Sequence, residues 1–384
     1  MIYFDQAASS FPKPSEVTEA MVKTMKEIGA NPGRGGHALA REAATIIQQT
    51  REKAAELFGC SNPKKALFYQ NATVALNQAL KGLTWQEGDH IITTSAEHNS
   101  VRRPLEYLKQ TYGVNVSYIP WTDNKQLFIE TVRQEIRPET KLMAITHASN
   151  VTGEVLPLQT LTMLAKEHHI LTVVDGSQTV GHLPIHMKNQ GIDMLAFPGH
   201  KGLLGPQGTG MLLVEGELDL KPLHHGGTGY FSESITQPEQ WPEKLESGTL
   251  NTPGIAGLYA ALKVYEQHRL ENVPRETLLI KKLITGLKKI PGVTCYSPSE
   301  AENSIPIAAF NIMYIDSQEI AMVLDSHYEI AVRAGLHCSP LAHDTLNTAD
   351  QGVVRASLNR YNTEKEIDVF LQAIEEIATA YQAL

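Results

Sequence analysis

Cysteine is scarce in this chain. Cys60, Cys295 and Cys338 are the only three among 384 residues, too few and too scattered for a disulfide framework. At least one of them is therefore available as a working thiol. Long apolar runs are missing too: no stretch of about 18 consecutive apolar residues occurs, so a membrane-spanning helix is not expected. A hydrophobic fraction of 42% is nonetheless enough to build a large core. Positive charge is not in excess. The net charge is -9, without long runs of one sign, which leaves no basic footprint for nucleic acid or for an anionic membrane surface. The opening stretch MIYFDQAASSFPKP has an acid where a secretory signal has bases, and it lacks a continuous apolar segment. A cytoplasmic location is the default expectation. Internal repeats and low-complexity tracts are absent as well.

What is present is a rhythm. From about residue 66, short apolar runs (ALFYQ, HIITTS, VNVSYIPW, KLMAITHAS, ILTVVDGSQ, IDMLAFPGHK, GTGMLLV) alternate with helical stretches, as in the βαβ units of a parallel sheet. Each run is read as apolar throughout, as strands buried on both faces should be. After TPG (Thr252 to Gly254) the character changes. IAGLYAALKVYEQHRL and ETLLIKKLITGLKKI read as two amphipathic helices, followed by the strand-like VTCYS and IAAFNIM and a closing helix EKEIDVFLQAIEEIATAY. The expectation is an α/β chain with a large, mostly parallel-sheet domain over residues 15–254 and a smaller α+β domain over 255–384, joined by residues 1–14.

The chemistry-bearing residues fall at strand ends. LTVV ends in Asp175, Gln178 follows three residues on, and 26 residues after Asp175 comes Lys201 in the glycine-rich PGHKGLLGPQGTG. In parallel sheets ligands bind at the carboxyl ends of the strands, so both side chains can reach one crevice. A lysine that forms a Schiff base and a carboxylate that keeps a pyridine nitrogen protonated are the protein partners of pyridoxal phosphate. Taken singly, a helix-capping Asp175 and a surface Lys201 are the plainer reading; the two together favour the cofactor. Asn71 and Thr73 precede a helix, where free amides and the dipole favour a phosphate, although an ordinary cap would look the same. His98, in TTSAEHNS, can stack on a pyridine and relay protons, or be a hydrogen-bonded histidine. Asn150, in ITHASNVTG, can bind a carboxylate or a ring oxygen, or occupy a turn.

In AVRAGLHCSPLAH, Arg333, His337 and Cys338 sit in a segment without helical or strand period, read here as a loop. A thiolate is favoured beside cations such as Arg333 or a protonated His337, which makes Cys338 the candidate nucleophile. Cys60, after a helix end, and Cys295, in VTCYS, read as small hydrophobes. Arg355, in GVVRASLNRYN, can clamp a substrate carboxylate or form a salt bridge.

At these residues the chain resembles the class V aminotransferase family, in particular cysteine desulfurases of the selenocysteine lyase-like group. The likeness runs from YFDQAAS (3 to 9) and NPGRGGH (31 to 37) through EHNS, HASNVTGE, VDGSQTVGH, PGHKGLLGPQG and ESGTLNTPG to RAGLHCSP and VRASLNRYNTEKEID. It implies fold type I of the pyridoxal-phosphate enzymes, with Lys201 as Schiff-base lysine, Asp175 on the pyridine nitrogen, Gln178 on the phenolic oxygen and His98 on the ring. It implies phosphate contacts from Thr73 and His200, with Ala72 and Ser177 in the same cofactor set. Thr249 would reach the cofactor of the other subunit of a homodimer. Ala8, Asn150, Arg333, His337 and Arg355 would form the substrate set, and Cys338 would accept sulfur from L-cysteine as a persulfide, leaving L-alanine and passing sulfur to an acceptor protein.

Two positions depart from the family pattern. Pro198 stands where a phosphate-binding hydroxyl is usual, and Ser177 is the candidate to compensate. Leu336 stands where a second histidine precedes the His-Cys pair. Rival readings within the fold are a selenocysteine lyase acting on L-selenocysteine, or another lyase, racemase or transaminase. A non-catalytic sulfur-relay scaffold is the rival from another class, opposed by the intact Lys201, Asp175, Arg355 and Cys338. A nicotinamide site would need a GxGxxG joining strand to helix, and the histidine pairs lack the spacing of a metal site, so no metal is expected.

Overall fold

The computed structural model describes residues 1–33, 36–122, 124–298, 300 and 303–382; Arg34 and Gly35 of the NPGRGGH motif lie outside the described residues. The chain starts with β1 (Ile2–Tyr3) and helices α1 (Ser15–Lys23) and α2 (Ala38–Phe58). Seven apolar runs then form one sheet: β2 (Ala66–Tyr69), β3 (His90–Thr94), β4 (Asn115–Ile119), β5 (Thr140–Thr146), β6 (Leu171–Asp175), β7 (Met194–Pro198) and β8 (Gly210–Val214). Their order is β2-β8-β7-β6-β5-β3-β4. All neighbours are parallel except that β8 runs antiparallel to both β7 and β2. Every residue of β7 and β8 is buried, which explains why these runs are apolar throughout rather than alternating.

Helices α3 (Ala72–Lys81), α4 (Asn99–Tyr112), α5 (Lys125–Gln134), α6 (Leu158–Glu167) and α7 (Met187–Gln190) connect the strands. Leu67, Leu76, Leu105, Leu142 and Leu212 belong to one apolar cluster of this region and Phe58, Ile92, Ile145, Phe197 and Leu213 to another. Strand neighbours divide between the two, as the period of two requires. Asn71 starts α3 by accepting a hydrogen bond from the Val74 N–H at 3.0 Å, so the cap is Asn71 and Thr73 lies inside the first turn.

The two helices expected after Gly254 are one, α8 (Thr252–Leu287), capped by Asn251 through the Gly254 N–H and continuous past Pro274. Beyond it, β9 (Val293–Cys295), β10 (Ile307–Ile312), β12 (Arg333–Gly335) and β13 (Val353–Ser357) make a second, antiparallel sheet ordered β12-β13-β10-β9. Helices α9 (Ser317–Tyr328), α10 (Pro340–Leu346) and α11 (Glu364–Gln382) complete this part, and β11 (Ile330–Ala331) pairs in parallel with β1. The segment around Cys338, read as loop, is thus mostly regular: β11, β12 and α10 leave Val332 and the connection 336–339 outside them. Strands of two and three residues are too short to show a period. Phe4 packs with Phe310 and Phe370 in the apolar cluster of the second sheet, and Ala7 hydrogen-bonds to Ser357. Among the described residues no helix is long and apolar enough to cross a membrane.

Candidate active site

The carboxyl ends of β5, β6 and β7 and the first turns of α3 and α4 surround a crevice lined among others by Thr73, His98, Asp175, Gln178, His200 and Lys201. Asp175 ends β6 and is 4% exposed; its Oδ1 accepts the Ser177 N–H at 2.8 Å. Gln178 is buried and donates from Nε2 to the Ala7 carbonyl at 3.2 Å. Ala8, next in the chain, turns back so that its N–H meets the Asp5 carbonyl. Lys201 lies three residues past β7. Burial of its amine lowers the pKa to about 8, with Asp175 acting the other way and Arg355 and Arg333 adding to the fall. The turn just after it fits tightly against a neighbouring loop. Gly181 has φ +102°, and a Cβ there would stand 2.1 Å from the carbonyl carbon of Gly202, so only glycine lets the two backbones meet beside Lys201.

His98 caps α4. The Ser100 N–H donates to His98 Nδ1 at 3.0 Å, which places the ring proton on Nε2. Burial is the main cause that lowers its pKa to about 4; the charges of Lys201, Arg333 and Arg355 add to this and Asp175 opposes it. The ring is neutral at pH 7. Ser100 also pairs its hydroxyl with Thr73 at 2.7 Å and with His98 Nδ1 at 2.8 Å. Ser100 was not singled out from sequence, though a serine two places into a helix that follows a crevice histidine was a usable signal. Ala72 and Thr73 open α3 beside it. His200 has its Nδ1 buried without a partner, and burial lowers its pKa to about 4. Pro198 ends β7 and lines the crevice, as does Ser177. Thr249 is elsewhere: it is exposed and lines a separate cleft with Arg51, Trp241 and Glu246.

Glu97, also not anticipated, precedes His98 and is fully buried. Its Oε1 accepts from the Thr94 hydroxyl at 2.8 Å and the Thr146 N–H at 2.9 Å, while Oε2 has no hydrogen-bond partner. Burial raises its pKa to about 8 against these hydrogen bonds, and the charge of Asp175 contributes. At pH 7 it is a neutral acid.

A positive pole borders the crevice. Arg355, 1% exposed, stands directly opposite Arg333 in the β12–β13 register, an unfavourable place for two like charges. Arg355 donates from Nη1 to the Asn150 carbonyl at 2.8 Å and from Nη2 to Asp5 Oδ1 at 3.2 Å. Its Nε is buried without a partner, and burial brings its pKa down to about 10. Asp5 was not foreseen, because 350 residues separate it from Arg355. An incoming carboxylate would relieve the repulsion.

Cys338 is the exposed one of the three cysteines; Cys60 is buried and Cys295 half-buried, and burial raises the pKa of both. Cys338 does not line the crevice but is tied to its rim. Its carbonyl accepts the Asn99 N–H at 2.8 Å, and the preceding carbonyl, of His337, accepts Asn150 Nδ2 at 2.8 Å. Asn150 Oδ1 in turn accepts the Ser339 hydroxyl at 2.6 Å. The side chain of Asn150 is therefore already engaged with the protein, with one N–H left over. His337 corrects the sequence reading: it is 4% exposed, its Nε2 meets the Val353 carbonyl at 3.0 Å, and burial lowers its pKa to about 3. A neutral His337 gives the thiol no positive charge, which leaves Arg333 and Arg355 as the cations nearby. Among the described residues no group of three or more His, Cys, Asp or Glu side chains is placed to hold a metal ion.

A family model described as aminotransferase class-V matches residues 2–370. A protein of Methanothermobacter thermautotrophicus named "Probable cysteine desulfurase" is 33% identical over 384 aligned residues, covering 98% of this chain and 94% of its own. An Escherichia coli cysteine desulfurase is 32% identical, with 98% and 93% covered. The apo structure of a cysteine desulfurase from Thermococcus onnurineus superposes with a TM-score of 0.93 at 32% identity, over 99% of this chain and 95% of that one. A pyridoxal-phosphate type I fold fits these neighbours and the mostly parallel sheet.

Proposed function

The chain belongs to the class-V aminotransferase family, and from that premise we propose that it is a pyridoxal-phosphate-dependent cysteine desulfurase that converts L-cysteine to L-alanine and carries the sulfur as a persulfide on Cys338. One observation carries the reading: Asn150 and Asn99 hold the exposed cysteine at the rim of the crevice that contains Lys201 and Asp175. The near-complete match to proteins named cysteine desulfurase supports it.

The residues present fit the cofactor. A buried carboxylate, a lysine of lowered pKa and a neutral histidine share the crevice, and the orphaned His200 Nδ1 and the first-turn amides of α3 suit an anion. Lys201, Asp175, Gln178, His98 and His200 would hold it, with Ala72, Thr73, Ser100 and Ser177. When bound, pyridoxal phosphate supplies an electron sink for charge at the substrate α-carbon. Lys201 Nζ, with a pKa near 8, can take up and return a proton close to neutral pH. Arg355 and Arg333 bind the substrate carboxylate and orient it. The Cys338 thiolate attacks the substrate sulfur: as the new S–S bond forms the substrate's Cβ–S bond breaks, its electron pair stays with the three-carbon fragment, and protonation of that fragment leaves alanine. The exposure of Cys338 leaves the resulting persulfide open to an acceptor thiol. An exposed Thr249 is consistent with a homodimer in which it completes the neighbouring site.

Alanine and sulfide release from L-cysteine, and alanine and selenide release from L-selenocysteine, tests the reading in wild type, Lys201→Ala and Cys338→Ala. Both variants are expected to lose activity on cysteine at least a hundredfold. Activity confined to selenocysteine, independent of Cys338, would make the protein a selenocysteine lyase; alanine from neither substrate would move it to another chemistry of the family.

A further inference from the structure

Cys338 follows His337 in a connection of four residues, and both have positive φ, +59° and +48°. Side chains rarely adopt this region, and two successive residues there persist only when their surroundings fix them. The surroundings are identifiable. Ser339 is fully buried, its N–H closes the turn on the Leu336 carbonyl at 2.9 Å, and its hydroxyl donates to Asn150 Oδ1. That bond fixes which end of the amide faces where. Asn150 Nδ2 then holds the His337 carbonyl, and the Asn150 carbonyl is held by Arg355, itself anchored on Asp5.

We infer that Ser339 is a positioning residue: with Asn150 it latches the 336–339 turn in its left-handed conformation and so aims the Cys338 thiol at substrate sulfur. This rests on the desulfurase reading for its last step only. The second N–H of Asn150, which lines the crevice, is free to meet the substrate carboxylate. One side chain then references both the substrate and the nucleophile, and their separation is set by a single amide plane. A thiol aimed this way affects the transfer step rather than substrate capture.

The test compares holoenzyme wild type, Ser339→Ala and Ser339→Thr, after checking that cofactor absorbance and thermal midpoint match. Hydrogen exchange by mass spectrometry follows the amides of Asn99, held by the Cys338 carbonyl, and of residue 339. Steady-state kinetics with L-cysteine gives kcat and KM separately. Ser339→Ala leaves Asn150 Oδ1 buried without its donor, so both amides are expected to exchange about tenfold faster; kcat is expected to fall about tenfold with KM within twofold, and Ser339→Thr to restore both. Faster exchange with unchanged kcat would overturn the aiming role, and unchanged exchange would overturn the latch. A parallel rise in KM would place Ser339 in substrate binding instead. Should wild type release no alanine from cysteine, the desulfurase reading fails, while the exchange result still decides whether the latch exists.

Discussion

Replacing Glu97 by Gln is expected to stabilise the protein, and to do so only above mildly acidic pH. The carboxyl is fully buried and its pKa stands at about 8 in the folded chain, against an ordinary value of 4.5. Between those two values the folded chain keeps a proton that the unfolded chain has released. The stability this group allows is therefore complete below about 4.5 and declines as pH rises, levelling off above about 8. At roughly 1.36 kcal/mol per pH unit, the interval from 4.5 to 7 amounts to about 3 kcal/mol. Glutamine escapes that loss because it has no proton to release. Its Oε1 can accept the same two hydrogen bonds, from Thr94 and Thr146, and its amide replaces a protonated oxygen that had no partner. With an unfolding entropy of roughly 2.1 cal/mol/K per residue, 3 kcal/mol corresponds to a midpoint about 4 °C higher at pH 7 and about 1 °C higher at pH 5. Differential scanning fluorimetry of cofactor-saturated wild type and Glu97→Gln at pH 5, 7 and 8.5 measures this directly. A difference that does not grow with pH, or a Gln variant less stable at pH 8.5, would mean that Glu97 is ionised in the folded chain and that the burial argument is wrong.

Two other perturbations follow from the same physics. Lys201 has its pKa lowered to about 8 by burial, and only its neutral amine can bond to the cofactor. Covalent attachment of pyridoxal phosphate to cofactor-free protein, followed by absorbance, should therefore quicken about tenfold per pH unit up to pH 8 and then level off; a plateau already reached at pH 6.5 contradicts the lowered but still near-neutral value. Arg51 makes a two-pronged ion pair with Glu246, whose Oε1 also accepts the Phe68 N–H, and both side chains are about 5% exposed. Arg51→Met strands a buried carboxylate and is expected to cost about 3–5 kcal/mol, read as a lower urea midpoint; a change below about 1 kcal/mol would show that Glu246 finds water when Arg51 is gone.

The large sheet was legible because most of its strands are buried on both faces, so they wrote themselves as short apolar runs between helices, the edge strand β4 being the least buried. Asp175 and Lys201 were legible for a related reason: a charge at the end of such a run has to face the crevice. The second sheet was harder. β11 and β12 are two and three residues long, below the length at which alternation is visible, and α10 begins at a proline directly after the turn. The split of α8 into two helices failed on the polar stretch around Pro274, which reads as a break. Glu97, Asp5 and Ser339 escaped notice because what marks them is who they touch: Thr146, Arg355 and Asn150. None of those contacts has a sequence period, and the Asp5–Arg355 pair spans almost the whole chain.

The same contacts change what an identified residue can do. Asn150 and Gln178 read from sequence as side chains aimed at a ligand, yet Asn150 already uses its oxygen and one N–H on the Cys338 turn, and Gln178 uses Nε2 on Ala7. A donor or acceptor spent on the protein is not available to a ligand without breaking a bond, whereas a buried polar atom without a partner carries a desolvation penalty that only a ligand or water can relieve. In this crevice and its rim the unspent atoms include Arg355 Nε and His200 Nδ1. Arg355 lies on β13 beside Asn150 and His200 just past β7 in the crevice, so the two places that can take an anion lie on different elements. That separation is what a substrate carboxylate and a cofactor phosphate require, since a single anion could satisfy only one of them.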